Sequence, residues 1–172
     1  VIYGSGQTDA LIQVDAKTFQ DLARKHPFAH ERVGFVTAGC ARADDDLIVI
    51  TARDYMPVDD EDYVRNPNVG AMIGSGAMRK GLQRAYATRS ALFHIHTHGG
   101  RGTPEFSSVD LKDAQNFVPS FFNVVPAMLH GLIVLSNDSA RGRVWVAPNK
   151  KPVHVHRFVA VGLPLVRYGE GA

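Results

Sequence analysis

The sequence predicts a single domain of the α/β (α+β) class, in which a mixed β-sheet is sandwiched by a few helices. Residues 1–172 are about the length of one domain. Strand-like and helix-like segments are interspersed along the chain, and some strand-like segments follow one another with no helix between them. Consecutive strands argue against a doubly wound parallel sheet and favour a mixed one.

Composition narrows the class of protein further. The chain is 45% hydrophobic and 21% charged, which is typical of a globular protein. The net charge of +2 and the scattered basic residues do not suggest a nucleic-acid partner. No apolar run approaches the roughly 20 residues of a membrane span, and the start of the sequence lacks a secretory pattern. The one cysteine, Cys40, excludes an intrachain disulfide and a cysteine-rich zinc site, and favours a reducing compartment. Together these observations predict a cytoplasmic protein without a membrane partner.

The first third of the chain predicts a strand, a helix and a strand. Residues 9–27 begin with a short strand and continue as a helix, with Thr18 as a plausible N-cap and Pro27 as the stop. A second strand starts near Val33, and Glu31 lies just before it. The next segment, residues 41–46 with the sequence ARADDD, predicts a turn of small and charged residues.

The rest of the chain, from residue 47, contains predicted strands and predicted helices in turn. Residues 47–58 are rich in β-branched side chains and predict a strand, and the polar residues 59–68 predict a loop. Helical apolar spacing follows in residues 69–90, and a strand in residues 91–98. A helix starts at residue 107, where Ser107 and Asp110 have the spacing of a capping box. Three further strands are predicted over residues 130–136, 141–147 and 152–166.

Three histidines in the strand over residues 91–98 are the candidate metal ligands. Alternate residues of a strand point to the same face, so His94, His96 and His98 share one side. Imidazole is a common zinc ligand, and a catalytic zinc has three protein ligands and one open position. Asp110, in the first turn of the next helix, can supply a carboxylate as the third ligand, because the glycine-rich segment before that helix lets the backbone turn sharply. The spacing alone leaves both His94 with His96 and His96 with His98 as candidate pairs.

These residues resemble the motif of the JAMM (MPN+, JAB domain) zinc metalloproteases. His96-Thr97-His98, a short loop and Ser107-x-x-Asp110 are similar to H-[ST]-H-x7-S-x-x-D, and Glu31 in ERVGFVTAG matches the upstream glutamate of that family. The order of predicted elements agrees from roughly residue 11 to residue 147. The resemblance implies the MPN fold, a cytidine-deaminase-like mixed sheet, in a catalytic domain spanning the chain.

The sequence departs from the family pattern at three points. The loop over residues 99–106 has eight residues where the common pattern has seven, and Gly99 replaces the usual proline. His94 is an additional histidine. We prefer His96 and His98 as ligands because they keep the spacing to Asp110 nearer to that of the family, which leaves His94 as a supporting residue or an alternative ligand. The GGRG loop is more similar to the bacterial branch than to the eukaryotic deubiquitinases.

The resemblance also implies a mechanism and partners. One zinc ion per chain is held by His96, His98 and Asp110, with water as the fourth ligand. Glu31 is the general base, and Ser107 donates a hydrogen bond to the oxyanion. The implied reaction is hydrolysis of a peptide or isopeptide bond at the C-terminus of a ubiquitin-like protein, by deconjugation or precursor processing. E1-like or E2-like proteins encoded nearby are the implied further partners.

Other interpretations of the sequence are a catalytically silent MPN-type scaffold and a zinc hydrolase of a small-molecule amide. Zinc nucleobase deaminases are excluded because the chain lacks the P-C-x-x-C ligands. His154 and His156 repeat the H-x-H spacing, but no carboxylate follows closely, so a pair on a strand face is the better interpretation. The acidic residues 59–63 lack the ligand spacing of a calcium loop and predict a solvated loop.

Overall fold

The computed structural model describes residues 9–14, 22, 24–44, 47–155, 157–160 and 166–169. Within these ranges the strands are β1 (Asp9–Val14), β2 (Val33–Asp44), β3 (Leu47–Pro57), β4 (Ala91–Thr97), β5 (His130–Leu135), β6 (Ala140–Trp145), β7 (Val153–Val155), β8 (Arg157–Ala160) and β9 (Val166–Gly169). The α-helices are α1 (Ser75–Thr88) and α2 (Ser108–Val124), and a short 3-10 turn covers Asp60–Asp62.

The strands form one mixed sheet in the order β7-β6-β5-β4-β2-β3-β1-β8-β9. β2 is antiparallel to both β3 and β4, whereas β4 and β5 are parallel and β1 is parallel to both β3 and β8. β7 pairs with β6, yet β8, which follows after residue 156 alone, pairs with β1. The sheet therefore curls, and the mixed α+β architecture expected from the sequence is confirmed.

The two faces of the sheet bury different clusters, as the alternation of strand side chains requires. Phe35 and Leu92 face the helices and pack with Phe121 of α2 and with small residues of α1. Val36 and Phe93, their neighbours in sequence, face the inside of the curl and form a second cluster. Both α1 and α2 pack on the first of these faces. The helix predicted before residue 27, with Thr18 as its N-cap, lies outside the described residues.

The turn predicted over residues 41–46 is wrong for its first four residues. Ala41 and Arg42 continue β2 and pair with Val49 and Ile48 of β3. Small and charged residues favour a turn locally, but the ladder to β3 decides the outcome because each paired residue gains backbone hydrogen bonds. The β2–β3 hairpin is therefore longer than the sequence indicates.

The other elements differ from their predictions mainly at their ends. The helix predicted over residues 69–90 begins only at Ser75. The residues just before it pair with the segment that follows the 3-10 turn, through a bridge between Tyr63 and Ile73. The last predicted strand is divided into β7 and β8. Neither α-helix in the described part of the chain combines the length and the apolar character that crossing a bilayer requires.

Candidate metal centre

Two hydrogen bonds join the carboxyl end of β4 to the segment before β2. The strands are antiparallel, with Val33 opposite His96, so residues preceding Val33 lie beside those that end β4. The amide of Arg32 donates to Oγ1 of Thr97 (2.9 Å), and the amide of Thr97 donates to the carbonyl of Arg32 (3.0 Å). This pairing brings the side chain of Glu31 to the histidines at the end of β4.

The loop between β4 and α2 turns on two glycines and is fastened to the β5–β6 turn. Gly100 and Gly102 have φ angles of 92° and 81°, a left-handed conformation that favours glycine. The amide of Gly102 donates to Oδ1 of Asp138 (2.7 Å), and the amide of Asn137 donates to the carbonyl of Gly100 (3.0 Å). The eight-residue loop is held in this way as it delivers Asp110 to the end of β4.

Four predicted site residues converge here. Nε2 of His96 lies 3.2 Å from Nε2 of His98. The Asp110 carboxylate spans both rings, with Oδ1 3.2 Å from Nε2 of His96 and Oδ2 3.5 Å from Nε2 of His98. Oε1 of Glu31 lies 3.7 Å from Nε2 of His98. Two imidazoles and two carboxylates therefore lie close together, although the four residues come from three separate stretches of sequence.

The separations fit the ligand shell of a tetrahedral zinc ion. Zinc binds histidine nitrogen at about 2.0–2.1 Å and carboxylate oxygen at about 2.0–2.2 Å, so neighbouring ligand atoms lie about 3.3–3.6 Å apart. Nε2 of His96 lies 3.2 Å from Nε2 of His98 and 3.2 Å from Oδ1 of Asp110, and the 3.5 Å contact of His98 is with the other oxygen, Oδ2. Ligand atoms of Glu31, His96 and His98 also lie within 4.8 Å of one another. The cluster can therefore hold a metal ion, with Asp110 or Glu31 as the carboxylate ligand.

The pKa values of the two carboxyl groups of the cluster are shifted in opposite directions. Burial raises the pKa of Glu31, and the nearby rings of His96 and His98 only partly oppose that effect. Burial also acts to raise the pKa of Asp110, but hydrogen bonds from His96 and Ser107 outweigh it and hold that pKa well below its usual range. Asp110 is thus suited to stay ionised as a ligand, and Glu31 is suited to exchange a proton.

Ser107 forms the N-cap of α2 and orients Asp110. Its Oγ accepts a hydrogen bond from the amide of Asp110 (3.2 Å), and its own amide donates to Oδ2 of Asp110 (2.7 Å). The capping box predicted from the sequence is confirmed. The same two bonds leave Oδ1 of Asp110 directed at His96.

The structure places His94 in β4, two residues before His96 and outside the cluster. Its ring lies against the rings of Phe35 and Phe117, at centroid distances of 5.7 and 5.0 Å. Burial among these neighbours lowers the pKa of His94 to about 3, so the ring is neutral. His94 lies beside the ring of His96, with centroids 5.6 Å apart. The Nδ1 atoms of both rings are buried without a hydrogen-bond partner among the described residues.

Gly70 belongs to the site, although no sequence pattern singled it out. Its carbonyl accepts from the amides of His30 (2.8 Å) and Glu31 (3.2 Å). A Cβ atom built on Gly70 would overlap the carboxyl group of Glu31. The backbone at Gly70 therefore forms one wall of the space that the Glu31 carboxylate occupies. In the sequence it is one of several glycines in a turn-rich segment, so only a contact between distant residues reveals its role.

Two other predicted features lie away from the cluster. His154 is exposed on β7, and His156 falls outside the described residues. The acidic segment is engaged with cations, since Lys80 contacts Asp59 (2.8 Å) and Asp62 (2.6 Å). Asp60 accepts from two arginines in the same region. The predicted solvated loop is instead a 3-10 turn over Asp60–Asp62 that ends at the buried Tyr63, because the ion pairs and the packing of Tyr63 hold it against the fold.

No protein-family model and no curated protein matches this chain. Among solved structures, the chain is similar to the STIL N-terminal domain of Trichoplax adhaerens, with a TM-score of 0.32 and 12% sequence identity. The match covers 74% of this chain and 36% of that chain. A likeness at this TM-score carries no argument about fold family or function, so the function has to be argued from the residues of the site.

Proposed function

We propose that this protein is a zinc-dependent amide hydrolase of the JAMM type, a metallopeptidase or isopeptidase with the MPN fold. The observation that carries the proposal is the convergence of His96, His98 and Asp110 at separations of 3.2–3.5 Å, with Glu31 beside them. Two imidazoles and one carboxylate leave one ligand position open, which distinguishes catalytic from structural zinc sites.

Each residue of the cluster has a separate part in the proposed reaction. Zinc bound by His96, His98 and Asp110 supplies Lewis acidity toward water and toward the carbonyl of an amide. Glu31, whose pKa is raised by burial, accepts a proton from the attacking water at Oε1 and passes it to the leaving nitrogen. The hydroxyl of Ser107 donates a hydrogen bond to the oxygen on which negative charge develops. Its Oγ also accepts a hydrogen bond from the amide of Asp110.

The substrate class is inferred from the motif resemblance. We propose a peptide or isopeptide bond at the C-terminus of a ubiquitin-like protein, cleaved in the cytoplasm to release a conjugate or to process a precursor. E1-like and E2-like proteins would act before this enzyme, because they form the bond that it cleaves. A small-molecule amide is the alternative substrate for the same zinc chemistry.

The second candidate function is a scaffold that binds metal without catalysis. The observation that favours it is the distance of 3.7 Å between Oε1 of Glu31 and Nε2 of His98. At that distance Glu31 could move in as a fourth protein ligand, and such a closed shell would leave no position for water. The two functions therefore differ in one respect, which is whether Glu31 binds the metal or a proton.

Replacing Glu31 with Gln distinguishes these functions. If Glu31 is the base, the E31Q variant binds one zinc per chain with the affinity of the wild type but loses at least 100-fold in hydrolysis. The substrate panel contains ubiquitin-like precursors with C-terminal extensions, lysine conjugates and short acyl amides, and zinc is measured by metal analysis and calorimetry. Glu61→Gln, at an exposed position of the 3-10 turn, is the control.

Two results would contradict the proposal. Hydrolysis by the E31Q variant at the wild-type rate would exclude Glu31 as the base. Loss of zinc binding together with a wild-type protein that cleaves nothing on the panel would favour the closed scaffold site instead.

A further inference from the structure

A cavity of about 420 Å³ lies at the carboxyl ends of β4 and β5. Its lining includes Thr97 and His98 at the end of β4, and Leu135 and Asn137 at the end of β5. These strands are parallel neighbours, and the carboxyl ends of parallel strands are where sheets of α/β proteins commonly bind ligands. The volume is within the range of small-ligand sites. His98 is therefore shared between this cavity and the metal centre.

The opposite wall of the cavity is positively charged. It is formed by the segment before β2, which contributes Arg24, Lys25 and Arg32, and none of the described lining residues is acidic. Asp60, outside the lining, accepts hydrogen bonds from Arg24 (3.0 Å) and Arg32 (2.7 Å). Nη2 of Arg32 is buried without a hydrogen-bond partner among the described residues. Lys25 adds a positive charge from an exposed position.

The guanidinium of Arg32 is held in a fixed position within this wall. Arg32 is 4% exposed, and its guanidinium lies 5.1 Å from the ring centroid of Tyr63. Arg32 is therefore a fixed positive charge in the wall, which a ligand meets without ordering a long side chain.

We propose that this cavity binds a carboxylate of the substrate, close to the amide that is hydrolysed. The inference deepens the proposed function and rests on it, because peptides carry their negative charge as carboxylates. His98 connects the two parts of the site, so a substrate with its carboxylate against Lys25 and Arg32 reaches the metal centre over the end of β4. The enzyme then prefers substrates with an acidic side chain or a free C-terminus near the scissile bond.

The test measures binding of N-acetylglycine to the zinc-free and the zinc-loaded protein, with uncharged N-acetylglycinamide as the matched ligand. We expect saturable NMR shifts of the amides of Gly99 and Asn137 with the acid and none with the amide, in both forms of the protein. Lys25→Glu should weaken this binding at least 10-fold and leave zinc affinity unchanged. Lys151→Glu, the same charge change at an exposed position before β7, should have less than a twofold effect.

Several outcomes would overturn the proposal. Equal effects of Lys25→Glu and Lys151→Glu would show that the acid responds only to net charge. Inorganic phosphate binding 10-fold more tightly than N-acetylglycine would assign the cavity to a different class of anion. Shifts confined to the zinc-loaded form would place the acid on the metal. The zinc-free arm does not depend on metal or catalysis, so failure of the proposed function would not be mistaken for failure of this one.

Discussion

At the scale of single residues, the most informative contrast is between the two carboxylates of the metal centre. Both are partly buried beside the same histidines. Hydrogen bonds from His96 and from the backbone amide of Ser107 lower the pKa of Asp110. For Glu31 burial dominates, and its pKa is raised. Two chemically similar groups are thus prepared for different tasks by their surroundings.

Gly70→Ala is expected to impair the metal centre through Glu31. The added methyl group would occupy the space of the Glu31 carboxyl group, so the carboxylate must turn away from His98. We expect hydrolysis to fall at least 10-fold, the acidic limb of its pH profile to shift, and zinc affinity to change by less than threefold. Rates across pH and calorimetric zinc titrations check these expectations.

Gly76→Ala is the matched control for this substitution. Gly76 lies in the first turn of α1, and a Cβ atom built there makes only an ordinary contact, at 3.4 Å from Oδ1 of Asp62. Its variant should behave as the wild type does. Glu31→Asp shortens the side chain by one methylene group, so adding Gly70→Ala to that variant should cause little further loss. Equal losses from Gly70→Ala in both backgrounds would contradict a steric effect on Glu31.

At the scale of elements, the N-terminus of α2 combines stability with site geometry. Ser107→Ala removes the side-chain bond to the amide of Asp110 and should lower the free energy of unfolding by about 1 kcal/mol. Ser107→Asp restores a capping oxygen but has no hydroxyl donor. We expect urea unfolding to separate the two variants and hydrolysis to fall about 100-fold in both. Wild-type hydrolysis by the aspartate variant would limit Ser107 to its capping role.

The side chain of His130 joins β4 to the segment between α2 and β5 through two hydrogen bonds. Its Nδ1 accepts from the amide of Leu92 (3.0 Å), and its Nε2 donates to the carbonyl of Val125 (2.9 Å). The ring is buried and neutral, because both bonds require one bare and one protonated nitrogen. The side chain therefore pairs the buried amide of Leu92 and adds a hydrogen bond to the carbonyl of Val125, which also accepts from the amide of Met128 (3.3 Å).

The stability of the fold should depend on pH through His130. Burial lowers the pKa of His130 below its unfolded value of about 6.5, although its two backbone hydrogen bonds oppose the shift. Its contribution to stability is therefore present above pH 6.5 and is lost as the pH falls toward the lowered pKa. His130→Gln should flatten this dependence in zinc-free protein, by up to about 1.4 kcal/mol per pH unit. Parallel curves of unfolding free energy against pH for both proteins would contradict the expectation.

At the scale of the whole molecule, the metal centre connects segments that are far apart in sequence. Residues before β2, at the end of β4 and at the start of α2 meet only in the folded chain, so an ion that binds there stabilises the fold. At a free zinc concentration 100 times the dissociation constant, the gain is about 2.7 kcal/mol. Thermal unfolding with zinc should show a rise in the melting temperature that a chelator reverses.

The control for this prediction is His96→Ala. His96 is 3% exposed and contacts both His98 and Asp110, so its removal should abolish the zinc-dependent rise in melting temperature. His154→Ala, on the exposed face of β7, should keep it. A full rise in the His96→Ala variant would place the stabilising zinc elsewhere.

The sequence by itself determined the types of the central elements, the residue types of the candidate site and the helix cap. Each depends on residues within a few positions of one another, such as the alternation in β4 or the capping box of Ser107 and Asp110. Only the tertiary structure decided which histidines meet the carboxylates, because that depends on the register of β2 against β4 and on the loop anchored by Asp138. It also revealed Gly70 and extended β2 through a segment with turn composition. Contacts between distant residues are set by pairing and loop closure, which no local pattern encodes.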